Sequence, residues 1–229
     1  MTIDRRRFLG GAMAAAGSGL LAGCASTQNA ALVQPLRPVS RDYAAMYGAI
    51  DTEPFPIPAV DLSQIEPRFL RREVTFRTTE QPGTIVVDPA ARYAYLVLER
   101  GRAMRYGVGV GKEEGFNFRG NAVIARKAEW PRWTPTLNMI RREPERYGKY
   151  AQGLPGGPEN PLGPRALYLY RDGQDTYYRL HGTDEPATIG TMVSSGCIRL
   201  INQDIIDLYR RVPVGTKVVV LSAGGDATS

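Results

Sequence analysis

The segment HGTDEPATIGTMVSSGCIRL, residues 181–200, holds the single histidine of the chain and one of its two cysteines. An imidazole can take the proton of a thiol, and a thiolate is a nucleophile for acyl transfer through a covalent intermediate. Cys197 follows Ser194-Ser195-Gly196, a turn-prone run whose backbone N–H groups can converge on an oxyanion. Gly196 allows the backbone to approach a substrate carbonyl, and Arg199 offers a fork of donors to a carboxylate. Plainer readings stand beside these. A lone cysteine is most often a small buried hydrophobe, a lone histidine is often a satisfied residue, and Arg199 could form an ordinary surface ion pair. One histidine and one cysteine cannot build a zinc site without carboxylates from elsewhere. The chain also lacks the G-x-S-x-G of a serine hydrolase elbow.

These residues need a scaffold, and the flanking sequence predicts strands. TIVVDP, RYAYLVLE and GRAMRYGVGVG read as consecutive strands with turns at Asp88-Pro89 and Arg100-Gly101. NAVIARKAEW is a further strand, and ALYLYR and DTYYRLHG form two more around Asp172-Gly173. In YYRLHG, alternation puts Tyr177, Arg179 and His181 on one face and Tyr178 and Leu180 on the other. Residues 131–164 read as loop with a helical interruption near Met139–Tyr147. NQDIIDLYRRV predicts a helix with Asn202 as N-cap, ended by Pro213, and TKVVVL closes the domain as a strand. The fold class is mainly β with one or two short helices, in one domain over residues 81–222 with a short tail at 223–229.

Composition agrees. The 25 glycines and 17 prolines favour turns over a helical bundle, and 43% hydrophobic with 23% charged residues is that of a globular chain. A net charge of +6 with no basic run interleaved with aromatics argues against nucleic acid as a partner. Residues 1–23 read as an export signal: a basic start, an apolar small-residue run and a small-residue end. Arg5-Arg6-Arg7-Phe8-Leu9 resembles a twin-arginine motif, and Leu21-Ala22-Gly23-Cys24 resembles a lipobox before a lipidated cysteine. Cleavage near Ala22 or Ala25, with Cys24 incidental, is the alternative. Residues 24–80 read as a proline-rich tether, because Pro35, Pro38, Pro54, Pro56, Pro58 and Pro67 break any long element. Packing of Asp61–Arg77 on the domain through Phe69 and Leu70 is left open.

Taken together, His181-Gly182-Thr183, Thr188-Ile189-Gly190 and Ser194-Ser195-Gly196-Cys197-Ile198-Arg199 resemble the active-site signature of the YkuD-type L,D-transpeptidases. TIVVDP, KAEWPRWTPT, GGPENPLGPRALYL and VPVGTKVVVL extend the resemblance over about residues 81–221. Many members of that family have histidine where this chain has Ser195. The resemblance implies a β-sandwich in which Cys197 is the nucleophile and His181 the base that keeps it a thiolate. Gly182 would hold the imidazole tautomer through its carbonyl, and the N–H groups of Gly196 and Cys197 would form the oxyanion hole. Arg199, Ser194, Ser195 and Asn160 would bind substrate, with Trp130 and Trp133 either lining the cleft or packing in the core. The implied substrates are peptidoglycan stem peptides, cut between a diamino acid and a terminal D-alanine and passed to an amine of another stem peptide or of an envelope protein. No metal or organic cofactor is required, and carbapenems would acylate Cys197. The implied location is the periplasm, with an outer-membrane anchor if Cys24 is lipidated. Hydrolysis of the same thioester by water and a non-catalytic peptidoglycan-binding lipoprotein are the competing functions.

Overall fold

The structure is a computed structural model that describes residues 41–111, 118–194 and 196–222. The strands are β1 (Arg72–Thr75), β2 (Ile85–Asp88), β3 (Tyr93–Leu98), β4 (Arg102–Gly107), β5 (Val110–Gly111) and β6 (Gly120–Glu129). They continue with β7 (Arg165–Arg171), β8 (Gln174–His181), β9 (Met192–Ser194), β10 (Ile198–Arg199) and β11 (Lys217–Val220). Helices are short: α1 (Arg41–Met46), α2 (Leu137–Arg142), α3 (Pro144–Tyr147) and α4 (Asn202–Arg211).

Nine strands pair in the order β1-β4-β3-β2-β11-β6-β7-β8-β10, and β5 pairs with β9 separately. The central pair, β2 with β11, is parallel, and Ile85, Val86 and Val87 are all buried, as a strand covered on both faces requires. Laid flat, nine strands would span about 38 Å. Yet Leu96 and Tyr106 from one end of the order share an apolar core with Leu180 and Ile198 from the other. The sheet therefore curls over its own core and presents two facing layers. Gly109, just past β4, exchanges two backbone hydrogen bonds of 2.9 Å with Arg199 of β10, bringing the two ends together.

Helix α4 packs on β7 and β8 and inserts Ile205 and Leu208, three residues apart on one helical face, into the core, and the extended Val212 just past its end joins them. The helix stops before Pro213, and Lys127 Nζ donates to the carbonyls of Tyr209 and Val212 at 2.7 Å each, a cation where the helix dipole is negative. Its start differs from expectation. Ile201 is the N-cap without a side-chain bond, and the Asn202 amide oxygen instead accepts from the Thr183 N–H at 2.9 Å. The cap residue is used to tie the helix to the chain just beyond His181.

The largest departure concerns the segment read as a tether. Residues 41–80 lie in the same compact unit as the strands, with β1 paired antiparallel to β4. Tyr47, Ile57, Ile65, Phe69 and Leu70 are buried there, and with Ile189 and Ile201 all but Ile57 form a second apolar cluster. Proline forbids long elements but leaves apolar side chains between the breaks free to pack, which is what happens. Polar ties reinforce this. Glu53 accepts a bidentate fork from Arg165 at 2.6 and 2.9 Å and a bond from the Trp130 indole at 3.1 Å. Burial pushes the Glu53 carboxyl up, but these donors outweigh it and hold it below the usual range. Asp204 of α4, fully buried, is pushed up to about 7 by burial, with Arg71 opposing, and accepts from the Tyr47 hydroxyl.

Candidate active site

His181 ends β8, and β10 runs beside it in parallel, with Ile198 opposite Leu180 and Arg199 opposite His181. In-register side chains on parallel neighbours point to one face, and residues two apart share it. Arg179 and His181 therefore share a face with Arg199 and, one residue before β10, with Cys197. Leu180 and Ile198 take the other face and enter the core. In ideal parallel pairing an offset of one strand and two residues separates Cα atoms by about 8 Å. An imidazole and a thiol can meet across that gap.

His181 is 4% exposed, and its Nδ1 lies 2.6 Å from the Gly182 carbonyl oxygen. A carbonyl only accepts, so Nδ1 carries the proton and Nε2 keeps the lone pair. Burial drives the imidazole pKa down to about 3; the Arg199 charge adds to the shift, the Gly182 bond opposes it, and Arg179 adds again. Cys197 is part-buried, with Sγ 3.8 Å from the Tyr177 carbonyl oxygen. Burial pushes the thiol up, against the Arg179 charge, the Arg179 backbone N–H and the Arg199 charge. Both shifts favour uncharged forms. Burial thus favours a neutral thiol and a neutral imidazole over the standing thiolate expected from sequence, since a dry site disfavours an isolated ion pair.

The Tyr177 carbonyl reaches the thiol through a bulge. Tyr168 pairs with Arg179 and Tyr170 with Asp175, so residues 176–178 of β8 face one residue of β7. Tyr177 is driven to φ 63° with its ring exposed, which takes it off the face it was expected to share with Arg179 and His181. Gly196 has φ 123°, a backbone conformation closed to side chains, so the turn before the thiol depends on glycine. Arg199 pairs with Glu185 at 2.9 Å; its own side chain is 17% exposed and that of Glu185 is 53%. The guanidinium is thus held by a carboxylate that solvent can reach. Ser194 ends β9, and Ser195 and Cys24 lie outside the described residues, as do 1–23 and 223–229.

Asn160 does not stand ready for substrate. It is 1% exposed; its amide nitrogen donates to the carbonyls of Pro131, Pro155 and Leu154, and its oxygen accepts from Leu162 N–H. It organises the long loop between β6 and β7. Asn160→Ala should cost about 2–4 kcal/mol of stability in denaturant unfolding, because buried carbonyls lose their donor. Unchanged stability with a raised KM would restore a substrate role.

Trp130, whose indole is tied to Glu53, borders a cavity of about 350 Å³ together with Pro56, Asp61, Thr183, Asn202 and Gln203. Cys197 and His181 do not line it. Trp133 packs edge-on against Tyr147 and Tyr150. Among the described residues no group of three or more His, Cys, Asp or Glu could hold a metal ion. Sequence reasoning did not foresee the bulge at Tyr177, the ion pair of Glu185 or the tie made by Asn202. Only Glu185, a carboxylate inside the motif, left a local signal.

Residues 82–220 match the YkuD family, described as the L,D-transpeptidase catalytic domain. The probable L,D-transpeptidase ErfK/SrfK of Escherichia coli is 44% identical over 98 residues, covering 43% of this chain and 30% of that protein. The probable L,D-transpeptidase YbiS of Escherichia coli is 38% identical over 124 residues, 54% of this chain and 38% of that protein. The chain thus spans about a third of the length of these curated relatives. A crystal structure from Brucella melitensis, named a probable carnitine operon oxidoreductase, is 53% identical with a TM-score of 0.48, covering 70% of this chain and 99% of that one.

Proposed function

The chain belongs to the L,D-transpeptidase catalytic-domain family over residues 82–220, and on that premise we propose that it is a peptidoglycan L,D-transpeptidase with Cys197 as nucleophile and His181 as base. The observation that carries this reading is the common face of β8 and β10, where a thiol and an imidazole of fixed tautomer sit two residues and one strand apart. His181 Nε2 takes the Sγ proton as sulfur adds to the carbonyl carbon between the diamino acid and D-alanine. The N–H groups of Gly196 and Cys197 receive the oxyanion. The C–N bond breaks, the imidazolium returns its proton to the departing D-alanine amine, and a thioester remains. An acceptor amine then adds to the thioester, passes a proton to Nε2, and the thiol is regenerated. Arg199 binds a stem-peptide carboxylate in exchange for Glu185, with Ser194 and Ser195 flanking the peptide. Stem peptides, and an envelope protein as alternative acceptor, are the partners.

Export is part of the proposal, supported by the leader-like residues 1–23, with Cys24 as the lipid attachment point that holds the protein at the outer membrane facing the periplasm. Among the described residues no helix is long and apolar enough to cross a membrane.

The test is mass spectrometry of purified stem tetrapeptide incubated with the enzyme. A dimer formed with loss of D-alanine is expected. Tripeptide alone would assign hydrolysis of the same thioester, and unchanged tetrapeptide in every condition would leave a non-catalytic binding protein.

A further inference from the structure

Phe69 lies ahead of the family-matched residues, and the geometry points to it as a positioning residue for the loop that carries Cys197. The loop runs from Gly182, just past β8, to Cys197, just before β10. Phe69 is 1% exposed and lies in the second cluster with Ile189, inside the loop, and Ile201, just beyond β10. One apolar group thus grips the chain on both sides of the nucleophile.

The grip is close. Gly190 has φ 84°, and a Cβ there would overlap the Phe69 ring, so the loop backbone rests directly on it. On its other side the Phe69 backbone presses on Gly107, where a Cβ would overlap the Phe69 carbonyl. The run from Gly107 to Val110 then carries the contact onward. Val108 accepts from Gly190 N–H at 3.1 Å, Val110 N–H donates to Thr191 at 3.1 Å, and Gly109 exchanges two bonds of 2.9 Å with Arg199. Leu200 N–H donates to the His181 carbonyl at 2.8 Å, which joins the braced strand to the strand of the base. Phe69 acts in this path through Gly190 and the 107–110 run.

The segment bearing Phe69 is itself anchored to α4. The Tyr47 hydroxyl accepts from Arg71 N–H at 2.6 Å and donates to Asp204 at 3.1 Å, while Gln203 donates to the carbonyls of Gly48 and Pro58 at 3.0 Å each. These ties fix where Phe69 enters. A segment that merely filled space would not need to hold the backbone at both ends of one loop.

A displaced nucleophile loses its alignment with base and oxyanion donors while remaining a thiol, and small misplacements reduce rates by on the order of 10²-fold. The experiment uses the full chain with Phe69→Ala and Phe69→Leu and three readouts. These are carbapenem acylation of Cys197, iodoacetamide alkylation of Cys197 located by peptide mapping, and amide hydrogen exchange. Phe69→Ala is expected to slow acylation by about tenfold or more, because acylation needs the aligned site. Alkylation needs only the thiol and should fall by less than about threefold, or rise. Exchange should accelerate at residues 188–200 and stay at wild-type rates in β3 and β7. Phe69→Leu should keep acylation within about threefold of wild type. Unchanged acylation in Phe69→Ala, or exchange accelerated equally in β3 and β7, would overturn the proposal by reducing Phe69 to general packing. Should Phe69→Ala not fold, the exchange pattern of Phe69→Leu decides: acceleration confined to 188–200 supports positioning, and any other pattern overturns it. A wild type that alkylates but never acylates would count against the transpeptidase reading, while the exchange arm still judges Phe69.

Discussion

Cys197→Ala abolishes D-alanine release from stem tetrapeptide and removes the acyl adduct from the intact-protein mass spectrum, while the fold survives. The loss should exceed about 10³-fold, because no other group can form the covalent intermediate. Alanine removes one sulfur atom from a part-buried position whose neighbours Ile198 and Leu200 carry the packing. Stability should therefore change by about 1 kcal/mol or less. Cys197→Ser tests the same point from another side. A serine hydroxyl keeps the hydrogen-bonding shape but is far less acidic than a thiol, and the dry site raises that barrier further. It should be nearly as inactive as alanine. Wild-type turnover in Cys197→Ala with unchanged circular dichroism would remove the nucleophile assignment altogether.

Much of the scaffold could be read from local pattern. β2, β3, β7 and β11 stand where β-branched and aromatic runs are bounded by turn residues, and α4 ends at the proline that was expected to end it. The candidate pair stood out because the chain has one histidine and two cysteines, and the register of β8 and β10 puts both residues on one face. What escaped reading depends on partners far away in sequence. Nothing near Tyr47 announces Asp204, 157 residues on. The bulge at Tyr177 arises from a mismatch between β7 and β8, so neither strand alone carries its signal. Asn160 and Asn202 looked like a substrate contact and a helix cap. Each instead bonds to backbone groups of another segment, which residue type cannot foretell. The pull toward neutral forms was not legible for a related reason. Spacing brings a thiol and an imidazole onto one face, but the burial that disfavours their charged forms comes from the whole fold.

That bias toward neutral forms sets the last expected result, the pH dependence of Cys197 acylation in wild type and His181→Gln. With the imidazole titrating near 3, Nε2 is available as a base across the whole neutral range. With the thiol raised above its ordinary value, little thiolate exists before attack. Wild type should therefore acylate at a nearly constant rate from about pH 5 to 9, with no inflection at the pH 6.5 of a solvent-exposed imidazole. The glutamine amide of the variant cannot take the proton, so its rate should follow the thiolate fraction and rise about tenfold per pH unit. Near pH 7 the deficit should be on the order of 10²–10⁴-fold, narrowing as the pH climbs. Stability bounds the acid side. The folded pKa lies below the unfolded one, so the contribution of neutral His181 is complete above about pH 6.5 and declines by about 1.4 kcal/mol per unit as pH falls toward 3. In His181→Gln that slope should be absent, which separates loss of the base from acid unfolding. The measurement is a pH–rate series with intact-mass detection beside urea unfolding at each pH. A wild-type inflection near 6.5 would mean a standing ion pair in a wetter site, and coincident profiles would mean that His181 is not the base.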